Sequence, residues 1–227
     1  YGVLLGGVLQ LLFQIPFLKK EGLPFLPGVR IKTPATISVV QMVIPSMFGL
    51  AITQINIIVD TFVASFLKEG TVSYLYYADR LLELPISLFV VSFATAILPS
   101  VSQHAVLGDE AKVRENFSKA LIYALFLIFP SLFFMLCLGK PALSTLFQRK
   151  AFDMDALSGT YYALIGYSLG LPFFTFNRLI TPLFYAHKNT KLPVRAGFFA
   201  MLTNIAMDIV LMPWGAFGLS TATSISA

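Results

Sequence analysis

Charge is scarce in this 227-residue chain: only 12% of its residues are Asp, Glu, Lys or Arg, about half of the roughly 25% usual in soluble domains. That shortage excludes a soluble globular domain and a disordered chain. Cysteine is nearly absent as well. The single thiol, Cys137, stands in an apolar run, so no internal disulfide can form and a secreted disulfide scaffold is excluded. The two histidines, His104 and His187, lie near predicted loops and have no companion ligands at metal-binding spacing. No Gly-rich loop precedes a helix to cradle a phosphate, and no nucleophile elbow is present. The chain therefore reads as a non-enzyme, and nothing in it supports an ATP-driven pump. Basic residues outnumber acidic ones by 16 to 11. They are scattered between apolar runs and form no stripe, so nucleic acid is not an expected partner.

What fills the chain is apolar: 57% hydrophobic residues, 22 of them Phe, with a mean hydropathy of +0.80. A membrane-spanning helix needs about 20 mostly apolar residues. Runs at about 1–18, 36–67, 73–102, 113–139, 157–186 and 192–212 meet that need, and a seventh begins near 216. The expected fold class is an all-α integral membrane protein, a polytopic bundle of about six full spans plus the start of a seventh. Thr33-Pro34 reads as the N-cap and first position of the second span. Pro45, Pro85, Pro130 and Pro172 inside spans read as kinks. The connection 139–160 is expected to hold a short surface helix at about 141–148. The chain opens directly in an apolar run and stops within another nascent helix, so the expectation is a piece of a longer membrane protein.

Alternating spans put the connections after the first, third and fifth on one side. They carry ten Lys and Arg residues against four in the opposite connections. The positive-inside rule places the first set in the cytoplasm.

Ionisable groups inside spans are costly and mark functional positions by default. In the second span Ser46, Gly49, Thr53, Asn56 and Asp60 recur at helical spacing on one face. Such a stripe either glues helices together or lines a wet cavity. The third span opens with Ser73-Tyr-Leu-Tyr-Tyr-Ala-Asp79-Arg80-Leu-Leu-Glu83-Leu-Pro85. Asp79 and Glu83 share a face, and Arg80 can pair with Glu83 three residues on. That set is either a self-neutralising ion pair or a device that presents the Arg80 fork to a phosphate or carboxylate. Asn204 and Asp208 are four apart in the sixth span, and the seventh opens with Ser220, Thr221, Thr223 and Ser224. With Asp60 these are hard oxygen ligands, suited to Na⁺ or one shared proton if the helices are neighbours. The bland reading is two unrelated interhelical hydrogen bonds. Arg178 lies about two turns before a cytoplasmic end, and snorkelling to the interface is its expected role.

Gly2-Val-Leu-Leu-Gly-Gly-Val-Leu-Gln-Leu, followed by Pro16-Phe-Leu-Lys-Lys, resembles the sixth helix of the lipid II flippase family (MurJ/MviN). Ser73-Tyr-Leu-Tyr-Tyr-Ala-Asp-Arg-Leu-Leu-Glu-Leu-Pro resembles that family's eighth helix. Leu98-Pro-Ser and Leu183-Phe-Tyr-Ala…Lys188…Thr190-Lys-Leu-Pro-Val match as well, so the resemblance covers essentially the whole chain. It implies a fragment of a fourteen-helix, two-lobe transporter of the multidrug/oligosaccharidyl-lipid/polysaccharide exporter superfamily. Residues 1–18 would be the last helix of the N-terminal lobe, 19–34 a cytoplasmic inter-lobe loop and 35–227 a truncated C-terminal lobe. The implied function is flipping of lipid-linked peptidoglycan precursor across the bacterial inner membrane by alternating access, for cell-wall synthesis. Ser73, Asp79, Arg80 and Glu83 would line the substrate cavity. Asp60, Asn204, Asp208 and Thr223 would form a Na⁺ or H⁺ site, with no other cofactor. The implied partners are the precursor and membrane lipids, with cell-wall synthesis proteins as candidate protein partners. The family's other cavity arginines lie in its first two helices, so this chain alone is not expected to move substrate. The competing readings are another exporter of the superfamily (a drug/cation antiporter or polysaccharide-unit flippase) and a non-transporting scaffold.

Overall fold

The computed structural model describes residues 2–20, 22, 34–187 and 189–227, and in residues 34–50 side chains only at Val43 and Met47. Among them every regular element is helical: α1 (Gly2–Lys20), α2 (Pro34–Ser65), α3 (Thr71–Pro85), α4 (Ser92–Leu107), α5 (Glu110–Phe147), α6 (Met154–Leu169), α7 (Leu171–Ala186), α8 (Lys191–Leu211) and α9 (Gly215–Ser226). A wide π-helical stretch, Ile86–Val91, joins α3 to α4, and a single 3₁₀ turn, Met212–Trp214, joins α8 to α9. Two compact units divide at Gln41 and Met42. In the first, α1 carries Pro16 internally, ends on Lys19 and Lys20 and has no buried residue. The second holds everything that follows.

Among the described residues four apolar helical stretches are long enough to cross a bilayer: Gly2–Lys20, Thr71–Leu107, Glu110–Phe147 and Lys191–Ser226. At 1.5 Å per residue α5 measures about 57 Å, longer than a hydrocarbon core of about 30 Å, so it projects into water. The sequence reading of a separate surface helix at 141–148 is corrected here. α5 runs on unbroken through Pro141 to Phe147, and Thr145 Oγ1 donates to the Pro141 carbonyl at 2.9 Å.

The second unit has an apolar core and also turns many bulky apolar side chains outward. On α5, Ile122, Phe126, Phe129 and Phe133 form an exposed stripe, while Ala120, Ala124, Ile128 and Gly139 are buried. Lipid tails are as apolar as Phe, so bulky side chains gain nothing by turning inward, and small ones let backbones approach. α8 is the extreme case: it buries Asn204 and Asp208 and no apolar residue.

α6 is the hub. It packs against α3, α5 and α9, while α7 continues it end to end alongside α4 and α5. Small residues make these approaches close. A methyl group on Gly139 would sit 2.8 Å from Leu164 Cδ2, and one on Gly159 would sit 2.5 Å from Tyr74 Cδ2. Across the α5–α6 seam, Tyr161 donates its hydroxyl proton to the Leu136 carbonyl at 2.7 Å. The α6–α7 break falls at Gly170, with Pro172 in the first turn of α7, where its missing N–H has no partner to lose.

Turn chemistry fixes the helix ends. Gly108 takes φ +72° after α4, a conformation that favours glycine, and Asp109 then caps α5 by accepting from Lys112 N at 3.2 Å. Asp153 caps α6, accepting from Asp155 N at 3.1 Å and Ala156 N at 2.9 Å. At the same end of the bundle Lys68 pairs with Asp155, and that carboxylate holds the ammonium above its usual pKa. At the opposite end His187 Nδ1 meets the Leu183 carbonyl at 2.8 Å and Nε2 meets Glu110 Oε1 at 3.2 Å. Both acceptors favour the doubly protonated ring, so the His187 pKa is raised.

Candidate functional site

Two polar clusters lie in the second unit. The first is built on α3. Its buried stripe, Thr71, Leu75, Ala78 and Leu82, fixes the helix against α6 and leaves Ser73, Tyr76 and Arg80 on the exposed side, with Asp79 and Glu83 half-buried at the edge. The Arg80 guanidinium lies 4.8 Å above the Tyr76 ring, a cation–π contact, and Tyr76 is also its hydrogen-bond partner. The Arg80–Glu83 pairing expected from sequence is not the one formed. Glu83 Oε1 instead receives Arg178 Nη2 from α7 at 3.4 Å. Arg178 is thereby corrected from a snorkelling residue to a cross-helix partner. Asp79 stands within electrostatic reach of Glu83, Arg80 and Arg178. The π-helical stretch begins three residues after Glu83, immediately beyond Pro85, whose missing N–H interrupts the helical ladder. Ser73, Arg80, Glu83 and Arg178 thus make an open polar face.

The second cluster joins three helices. Asn204 and Asp208 of α8 are both fully buried. The Asn204 amide nitrogen faces α2, donating to Asp60 Oδ1 at 2.7 Å and Asn56 Oδ1 at 3.0 Å, and also to Asp208 Oδ2 at 3.2 Å. The reverse orientation would set its oxygen against two carboxylates. Its oxygen accepts from the Thr223 backbone N–H at 3.2 Å. The carboxyls of Asp60 and Asp208 face one another. Asp208 Oδ1 is buried and receives no hydrogen bond among the described residues. The structure therefore brings together Asp60, the Asn204–Asp208 pair and Thr223, which the sequence left on three different spans. A buried acceptor without a donor, facing a second carboxylate among an amide and a hydroxyl, fits a small hard cation or one proton.

Beside this cluster a cleft of about 850 Å³ opens between α2, α7 and α8. Thr53 and Asn56 line it on one side, Asn177, Thr181 and Thr203 on the others. The predicted polar stripe of the second span thus borders a cavity at Thr53 and Asn56, while the Ser46 and Gly49 side chains lie outside the described residues, as do Pro45 and the cap residue Thr33.

A family model described as lipid II flippase MurJ matches residues 1–227. The chain belongs to this family. Relatives include a probable lipid II flippase MurJ of Vibrio cholerae, 40% identical over 228 residues, covering 100% of this chain and 43% of the relative. A lipid II flippase MurJ of Burkholderia cenocepacia is 31% identical, covering 100% of this chain and 45% of its own. The chain thus spans a little under half the length of the curated relatives it matches. A solved lipid II flippase MurJ in an inward closed conformation superposes with a TM-score of 0.73 at 35% identity, covering 81% of this chain and 39% of that one. An outward-facing multidrug resistance MATE family transporter superposes with a TM-score of 0.60 at 17% identity, over 83% of this chain and 41% of that one. That second likeness concerns the fold alone.

One residue between the clusters escaped the sequence reading. Tyr167 of α6 hydrogen-bonds the Thr223 side chain and lies within electrostatic reach of Asp79, Asp60 and Asp208. A Tyr within an apolar span resembles packing, and only the flanking Gly166 and Gly170 hint at a close approach there.

Proposed function

We propose that this chain forms part of a flippase that carries lipid-linked peptidoglycan precursor, lipid II, across the bacterial inner membrane by alternating access, without covalent chemistry. The carrying observation is the whole-chain family match joined to the open Arg80 face beside Asp79 and Glu83. A pyrophosphate carries the charge and planar oxygen pairs that a guanidinium fork receives. With Glu83 engaged by Arg178, Arg80 stands on the exposed side of α3 with no ion pair to Glu83 to be broken by such a ligand. Ser73 adds a hydroxyl on the same exposed side, and Asp79 orients Arg80. The polyprenyl tail stays in lipid.

Asp60, Asn204, Asp208 and Thr223 would hold Na⁺ or a proton. A positive charge there satisfies the orphaned Asp208 Oδ1 and relieves the facing carboxylates. Its binding shifts the inward–outward balance to the extent that its affinity differs between the two states. Other exporters of the superfamily share the fold at 17% identity. The test is precursor translocation by the intact protein carrying Arg80→Ala. Transport is expected to fall at least tenfold, and undiminished transport would overturn the role of Arg80.

A further inference from the structure

We propose that the cleft at the Lys68–Asp155 end of the bundle is a site for a phospholipid with a zwitterionic, primary-amine headgroup of the phosphoethanolamine type. The cleft shares no residue with either polar cluster, so the proposal does not depend on the flippase reading.

The cleft measures about 690 Å³ and lies between the α2–α3 turn, the first turns of α6 and the 3₁₀ turn that joins α8 to α9. Its depth is that of lipid headgroups. Trp214, the only tryptophan of the chain, stands on that 3₁₀ turn and is 62% exposed. Tyr162, which lines the cleft, is 58% exposed. Exposed Trp and Tyr rings collect at the membrane–water interface, where one end is apolar and the other wet. Apolar side chains lead away from the cleft into the spans. Phe62 and Phe66 turn outward just before Leu67, and Ile209 and Val210 do so just before Met212. They offer acyl chains a surface to cover. The connection that carries Lys68 is opposite the cytoplasmic one by the count of basic residues, so the lipid belongs to the outer leaflet.

The charges select the headgroup. Lys68 and Asp155 pair with each other, yet each side chain is more than two-thirds exposed. An exposed pair of this kind is worth little and is readily exchanged. Both are mounted on fixed backbone. The Lys68 carbonyl accepts from Thr71 Oγ1 at 2.7 Å, and Asp155 N donates to Asp153 Oδ1 at 3.1 Å. A headgroup of one sign would gain one of these charges and be opposed by the other. A zwitterion matches both, its phosphate against Lys68 and its ammonium against Asp155. A primary ammonium carries three N–H donors. Asp155 takes one, and the Tyr74, Ser158 and Tyr162 oxygens that line the cleft accept the rest. A quaternary ammonium has the same charge but no N–H to give.

The test uses the intact protein in detergent, as wild type, Asp155→Asn and Ser158→Phe, the last chosen to fill the cleft. Each is titrated with phosphatidylethanolamine, phosphatidylcholine or phosphatidylglycerol of one acyl composition, and native mass spectrometry reads the first lipid bound. Melting without lipid checks that each variant is folded. Wild type is expected to prefer phosphatidylethanolamine over the other two by at least about fivefold, since a hydrogen bond to a charged group is worth that much or more. Asp155→Asn should abolish the preference and leave phosphatidylcholine affinity within about twofold of wild type, because no N–H is lost there. Ser158→Phe should lose the high-affinity phosphatidylethanolamine with its charges intact. Equal affinity for the three lipids in wild type, or a preference for phosphatidylglycerol, would overturn the proposal. So would a preference that survives either substitution. Soluble glycerophosphoethanolamine binding as tightly as the lipid would overturn a lipid as the occupant.

Discussion

The α6–α9 seam gives a prediction whose size follows from contacts. Gly166→Ala places a methyl group where Ser220 Oγ stands and 2.9 Å from the Phe217 carbonyl oxygen. Ser220 can rotate away, but it then gives up its bond to that same carbonyl at 3.0 Å. The carbonyl belongs to the backbone of α9 and cannot retreat without moving the helix. Overpacking of this kind costs about 1–3 kcal/mol, and the helix propensity gained on replacing Gly by Ala offsets up to about 1 kcal/mol. The expected net loss is about 1–2 kcal/mol. Gly197→Ala is the internal control. It also lies within a helix, but its new methyl would meet only Ile52 Cγ2 at 4.0 Å, so the propensity gain stands and stability rises by about 0.5–1 kcal/mol. Thermal unfolding of the purified intact protein in one detergent reads both changes. A melting temperature shifts by about 2–4 °C per kcal/mol in a chain of 150–250 residues, and by less in a longer one. Gly166→Ala should melt a few degrees below wild type and Gly197→Ala at or above it. The reverse order would refute the close α6–α9 approach.

The Glu83–Arg178 contact predicts a charge-swap result: Glu83→Arg and Arg178→Glu each reduce precursor transport, and the double swap recovers a substantial part of it. No recovery in the double variant would remove the pairing from the working protein. His187 predicts a pH dependence. Its pKa lies above 6.5 in the folded chain, so its tie to Glu110 contributes stability that is fully present below about pH 6.5 and is lost as pH rises through the raised pKa. Melting of wild type relative to His187→Gln should therefore show the wild-type advantage at pH 6 and lose it by pH 9. An advantage that grows with pH would contradict the assignment.

The spans were legible because a bilayer demands about 20 apolar residues in a row, a requirement of composition rather than of contact. The two polar clusters were legible in part for a related reason. A charge on an apolar helix stands out, and spacings of three and four put Asn204 with Asp208 and Asp79 with Glu83 on common faces. Partners across helices were not legible. Glu83 has Arg80 one turn away and Arg178 ninety-five residues away, and local spacing favours the near one. The fold chose the far one because Arg80 sits on the exposed side of α3 over Tyr76, while α7 brings Arg178 to Glu83. The continuity of α5 through Pro141 was not legible because Lys140 and Pro141 directly follow the apolar run. Tyr167 was hidden because a lone hydroxyl on an aromatic ring carries no periodic signature.

The central claim is that the Arg80 guanidinium receives the anionic head of a lipid-linked precursor, and direct binding tests it best. Affinity of the intact protein for lipid II in nanodiscs should weaken at least tenfold in Arg80→Ala. Arg80→Lys, which keeps the charge but lacks the fork, should fall between Arg80→Ala and wild type. Equal affinity in all three proteins would contradict the account.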